Sequence, residues 1–115
     1  MSYIYLASPY SHPEATVRQE RFVAACKKSA QYAVKGIPVF CPIAHTHHMA
    51  DYMPEDKRMD FALWMKLDLP LVRMASEVHV LCIDGWRSSR GVTREIEFAT
   101  QCGIPVKQVF MDVEP

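Results

Sequence analysis

Gly36-Ile37-Pro38-Val39 and Gly103-Ile104-Pro105-Val106 are near copies, and each closes a helical segment and opens an apolar run. Glycine just past a helix, followed soon by proline, is a stop signal, because glycine takes the left-handed turn and proline cannot continue the helix. The repeat predicts two helices that each feed a strand through the same tight turn. Such alternation is the pattern of a parallel sheet covered by helices.

Working outward, Tyr3 to Ala7 is apolar at nearly every position, as expected of a first strand buried on both faces. Ser8 to Pro13 is a loop, and Pro13 suits the start of a helix. On that helix Phe22, Cys26, Ala30 and Ala33 are expected to form the buried face, with Arg18, Arg21, Lys28 and Gln31 elsewhere. Pro38 to Cys41 is the second strand, and Pro42 to Lys57 reads as a long polar loop. A helix from about Asp60 to Ala75 is expected to kink at Pro70. Val78 to Ile83 is the third strand, ended by an Asp84-Gly85 turn. A helix over Val92 to Cys102 and a strand over Val106 to Met111 complete the pattern. The right-handed crossover rule favours a flavodoxin-like, doubly wound α/β fold. Its three layers enclose about four or five mainly parallel strands in the order 2-1-3-4.

The 115 residues suffice for one domain, read as spanning 1–115. Half the chain is hydrophobic and 23% is charged, a globular composition. Thirteen Lys and Arg balance thirteen Asp and Glu, which excludes the basic footprint of a nucleic-acid polymer binder. No apolar run reaches the roughly 20 residues that span a bilayer, and no basic leader precedes the first strand. With glycines only at 36, 85, 91 and 103, neither a dinucleotide fingerprint nor a P-loop can be written. Cys26, Cys41, Cys82 and Cys102 lack any framework spacing, so free thiols in a cytoplasmic setting are expected.

In a doubly wound sheet the ligand lies beyond the carboxyl ends of the strands. Ser8 to His12, Pro42 to His48, Asp84 to Gly91 and the segment after Met111 are therefore expected to line a site. Asp84 to Gly91 leads straight into a helix, a shape that offers backbone N–H groups to an anion. It also fits an ordinary loop capped by Ser88 or Ser89. Glu95, one turn into that helix, either complements the helix dipole or serves as an ionised nucleophile or base. Glu97 lies about 200° further round and cannot share its site. Asp68, between Leu67 and Leu69-Pro70-Leu71, is either a working carboxylate or a partner for backbone freed by Pro70. His45, His47, His48 and Asp51 match no established zinc spacing, so neither metal nor other cofactor is expected. One histidine reaching the crevice is the better reading, and His79 reads as a satisfied core histidine.

Ile4-Tyr5-Leu6-Ala7-Ser8, the Asp68 segment, and Ser89-Arg90-Gly91 through Glu95-Ile96-Glu97-Phe98-Ala99 together resemble the nucleoside 2-deoxyribosyltransferase superfamily. That group includes hydrolases of the N-glycosidic bond in 2'-deoxynucleoside 5'-monophosphates. The likeness covers most of the chain and is strongest to a branch of short bacterial proteins. It implies that Glu95 is the nucleophile, that Asp68 orients it or protonates the leaving base, and that Tyr5 positions it. It further implies that Ser8, Ser89 and Gly91 line the sugar and phosphate pocket, with His45 approaching the nucleotide; from their loop, Asp84 is expected at the same site and Arg87 or Arg90 is expected to close the phosphate cradle. Where relatives usually carry a small residue two positions after the nucleophile, this chain has Glu97. Covalent capture of an oxocarbenium-like carbon by a carboxylate is sound chemistry. The implied partner is a small nucleotide or nucleoside, in a homodimer or higher homo-oligomer. Two rival readings are a nucleotide-binding or sensing protein without catalysis and a metal-dependent hydrolase built on the His45 loop.

Overall fold

The computed structural model describes residues 2–115. Four strands, β1 (Ile4–Ala7), β2 (Val39–Phe40), β3 (Glu77–Leu81) and β4 (Val106–Val109), form one sheet in the order β2-β1-β3-β4. All three pairings are parallel, with Tyr5 beside Phe40 and Val78, and Val80 beside Gln108. This is the expected doubly wound sheet, with four strands.

Side chains alternate between faces along each strand. Tyr5, Ala7, Val78 and Val80 pack on one face with Val72 of helix α4 (Phe61–Arg73) and with Val92 and Ala99 of α5 (Arg90–Gln101). Leu6 and Leu81 pack on the other face with Ala25 of α1 (Ala15–Val34). The result is three layers, helices over both faces of the sheet.

Both copies of the repeated turn form the same motif. Gly36 and Gly103 have φ of 72° and 73°, the left-handed region that disfavours a side chain. Ile37 N–H then donates to the Tyr32 carbonyl, and Ile104 N–H to the Ala99 carbonyl, closing each helix end.

Two expectations need correction, the loop after β2 and the buried face of α1, whereas α4 runs through Pro70 as expected. Residues 42–58 are not one polar loop: they fold as α2 (Pro42–Thr46), a 3-10 turn (Met49–Tyr52) and α3 (Glu55–Arg58). Pro42 opens α2, where a missing N–H costs nothing. The buried face of α1 is Ala25, Lys28 and Tyr32, whereas Ala30 and Ala33 are exposed. Lys28 is buried because its Nζ donates to Gln31 Oε1 and to the Phe110 and Val113 carbonyls, at 2.9, 2.6 and 2.6 Å. Three acceptors satisfy the ammonium group and pin the segment after β4 against α1. His79 is satisfied as expected, with Nδ1 on the Tyr32 hydroxyl (2.6 Å) and Nε2 on Glu77 (2.8 Å).

Candidate active site

A cleft of about 860 Å³ opens beyond the carboxyl ends of β1 and β2. Helix α4 runs down one wall, presenting Phe61, Trp64, Met65 and Asp68 to it. Their spacing keeps all four on one helical face. At 1.5 Å per residue, Phe61 and Asp68 stand about 10 Å apart along the axis, from rim to floor. The 3-10 turn and short helices of residues 42–58 form the opposite rim.

The floor is acidic and largely buried. Glu95 of α5 is 4% exposed and Asp68 is 7% exposed. Tyr5, fully buried on β1, donates its hydroxyl to Glu95 Oε2. Burial pushes the Glu95 carboxyl up to about 8; the Tyr5 hydrogen bond opposes that rise, and the Asp68 charge adds to it. Burial likewise raises Asp68 to about 6. Tyr5 is raised well above its ordinary value by burial and by the two carboxylates. Burial of both carboxyls thus favours holding a proton between them into the neutral range. Glu97 is exposed on the other side of α5, as helical geometry requires.

The strand-to-helix loop after β3 lies at the cleft edge. Ser89 Oγ accepts from Val92 N–H at 3.2 Å and so caps α5. Ser8, Ser88, Ser89, Arg90 and Gly91 all border the cleft. The Arg90 guanidinium stacks 3.9 Å above the Phe61 ring. Arg87 instead lies over Trp86, at 5.2 Å, and does not border it.

Two sequence candidates do not join this group. His45 is exposed outside the cleft lining, its ring 5.7 Å from that of Phe40. Helix α2 turns His45 outward, and His47 and His48 line the cleft in its place. Asp84 is exposed at the turn and also lies outside the lining. The segment after Met111 contributes nothing to the lining, since Lys28 holds it against α1. Tyr10, Arg18 and Trp64 line the cleft without having been singled out in the sequence. Pro42, placed where helices begin, was the one signal for the direction of α2. Among the described residues no His, Cys, Asp and Glu cluster has metal-holding geometry.

Residues 2–111 match the family described as Domain of unknown function (DUF1937). The chain belongs to that family. Among solved structures it is similar to the 2-deoxyribosyltransferase from the psychrotolerant bacterium Bacillus psychrosaccharolyticus, at 22% identity and a TM-score of 0.67. The likeness covers 99% of this chain and 76% of that one, and it shows a shared nucleoside 2-deoxyribosyltransferase-like fold. No curated protein gives a significant match. No helix among the described residues is long and apolar enough to cross a membrane.

Proposed function

We propose that the protein cleaves or transfers at the N-glycosidic bond of a nucleoside or nucleotide, with Glu95 as nucleophile. The observation that carries this reading is the buried floor, where Glu95 meets the Tyr5 hydroxyl beside a second buried carboxyl, Asp68. Two carboxyl groups of unequal pKa in a closed crevice are what glycoside chemistry uses. Ionised Glu95 attacks the anomeric carbon as the bond to the base breaks, giving a glycosyl ester on Oε. Asp68 orients Glu95 or delivers a proton to the departing base. Water or a second base then displaces the ester and frees Glu95. Tyr5 favours the ionised form of Glu95 by donating to it.

Ser8, Ser89, Arg90 and the amides around Gly91 suit the sugar and a 5'-phosphate, with the Arg90 guanidinium held over the Phe61 ring at the cleft border. His45 and Asp84 have no part in this reading, because they lie outside the cleft. The thiols Cys26, Cys41, Cys82 and Cys102 are free, which supports a reducing, cytoplasmic setting. Leu67 on α4 and Met74 just past its end, 47% and 72% exposed, support burial of that face in a homo-oligomer.

The test is incubation with a panel of deoxynucleosides and their 5'-monophosphates, with free base read by chromatography. Release of base supports the enzyme. Binding without release supports a sensing protein.

A further inference from the structure

The outer cleft holds a hydrogen-bonded chain that the proposed chemistry does not use. Tyr10, in the loop after β1, meets His47 Nδ1 through its hydroxyl at 2.7 Å. On the far side of the same ring, His47 Nε2 meets Gln19 Oε1 of α1 at 3.0 Å. Phe22 stacks on His47 with ring centres 4.0 Å apart and planes 16° from parallel, so the imidazole cannot tilt away. Tyr10, Gln19 and His47 all border the cleft.

The hydrogen positions follow from the partners. An amide oxygen only accepts, so Nε2 carries the proton. A neutral imidazole has one N–H, so Nδ1 is an acceptor and the Tyr10 hydroxyl donates to it. The charged and titratable groups around the ring are Arg18 of α1, Tyr10 of the loop, and His48 and Asp51 of the rim. Burial, His48 and Arg18 favour the neutral ring, and only Asp51 opposes them.

We infer that Tyr10 is a specificity-determining residue, held by His47 as a hydrogen-bond acceptor that selects a nucleobase presenting an exocyclic amino group. The inference rests on the nucleoside reading of the cleft. With the sugar carbon at Glu95 on the floor, the base extends toward the outer cleft. There Phe61, Trp64, Tyr10 and His47 offer aromatic surface. The Tyr10 proton is committed to His47 and Arg18 lies beside the same hydroxyl, so a ligand reaching Tyr10 meets only what remains of its acceptor capacity. A base edge bearing N–H satisfies it; a base edge bearing a carbonyl sets two acceptors against each other. His47 acts through Tyr10 and is a positioning residue.

The experiment measures dissociation constants by calorimetry at pH 7.5 for matched pairs, 2'-deoxyadenosine against 2'-deoxyinosine and 2'-deoxycytidine against 2'-deoxyuridine. A Glu95→Gln background prevents turnover. We expect the amino partner of at least one pair to bind about tenfold more tightly than its oxo partner. Adding Tyr10→Phe should bring that ratio to within about twofold while both ligands still bind. Adding His47→Phe keeps a ring on Phe22 and frees the Tyr10 hydroxyl to donate, so the oxo partner should gain and the amino partner lose. A role in packing alone would weaken both partners equally and leave the ratio unchanged. That result, or no preference in the starting protein, overturns the inference while the nucleoside reading stands. If none of the four ligands binds, either as the nucleoside or as its 5'-monophosphate, the nucleoside reading itself falls, and this inference with it.

Discussion

Replacing Glu95 with Gln should make the protein more stable in alkaline solution, an unusual result for a loss of function. Glu95 titrates near 8 in the folded protein, against an ordinary 4.5. The folded state thus keeps its proton over a pH range in which the unfolded chain has lost it. Below about pH 4.5 both states are protonated and the native state pays nothing for this group. As pH rises from 4.5 to 8, the unfolded state alone releases the proton, so stability falls; above 8 the penalty is constant. At 1.36 kcal/mol per unit the full shift corresponds to about 5 kcal/mol. Local relaxation and water entering the cleft reduce it, and about 2 kcal/mol is the working figure. Gln has nearly the same shape, still accepts from Tyr5, and never ionises. Glu95→Gln should therefore melt close to the parent at pH 5. At pH 9 it should melt about 8 °C higher, at about 4 °C per kcal/mol for a chain of this length. The assay is calorimetric melting of both proteins at half-unit steps from pH 5 to 9. Parallel curves across that range would refute a buried, protonated Glu95.

Tyr5→Phe removes the hydrogen bond that favours ionised Glu95, so the limb of the activity profile near pH 8 should move to higher pH. About a tenfold to hundredfold loss of kcat/KM is expected at pH 7, read from base-release rates between pH 5 and 10. The same profile distinguishes the roles of Asp68: a proton donor gives a bell with limbs near 6 and 8, and an orienting group gives only the rise near 8. Glu97→Gln should change turnover by less than about tenfold, because that carboxylate faces solvent. Lys28→Met should cost about 2 kcal/mol or more in chemical denaturation, by stranding the Phe110 and Val113 carbonyls, and should expose the end of the chain to protease. Gly85 sits at φ 89°, where a Cβ would overlap the Arg21 guanidinium that donates to Ser11 O at 2.9 Å. Gly85→Ala should accordingly destabilise by about 1–2 kcal/mol in the same assay.

The parts of this molecule governed by local chemistry were legible in the sequence. The two Gly-Ile-Pro-Val turns announced the helix-to-strand alternation, and the strand order followed from handedness. Glu95 and Glu97 could be separated by helical pitch alone. What was not legible depended on partners distant in sequence. Lys28 reads as a solvent-facing charge until carbonyls more than eighty positions away supply its acceptors. The histidine that faces the cleft could not be chosen without knowing that residues 42–46 are helical, and polar composition concealed that. Asp84 was drawn into the site because its loop is there, yet the left-handed Gly85 turns the chain and leaves the Asp84 side chain exposed. Tyr10 lies in the Ser8 to His12 loop expected at the cleft, whereas Trp64 carries no motif and only the packing of α4 brings it there.

The central claim is that Glu95 forms a bond to the sugar, and the direct measurement is intact-protein and peptide mass spectrometry after rapid quenching in the presence of a deoxynucleoside or its monophosphate. The account predicts one added deoxyribosyl or phosphodeoxyribosyl mass, located on the peptide containing Glu95 and absent from Glu95→Gln. An adduct on another residue, or parental base release by Glu95→Gln, would contradict it.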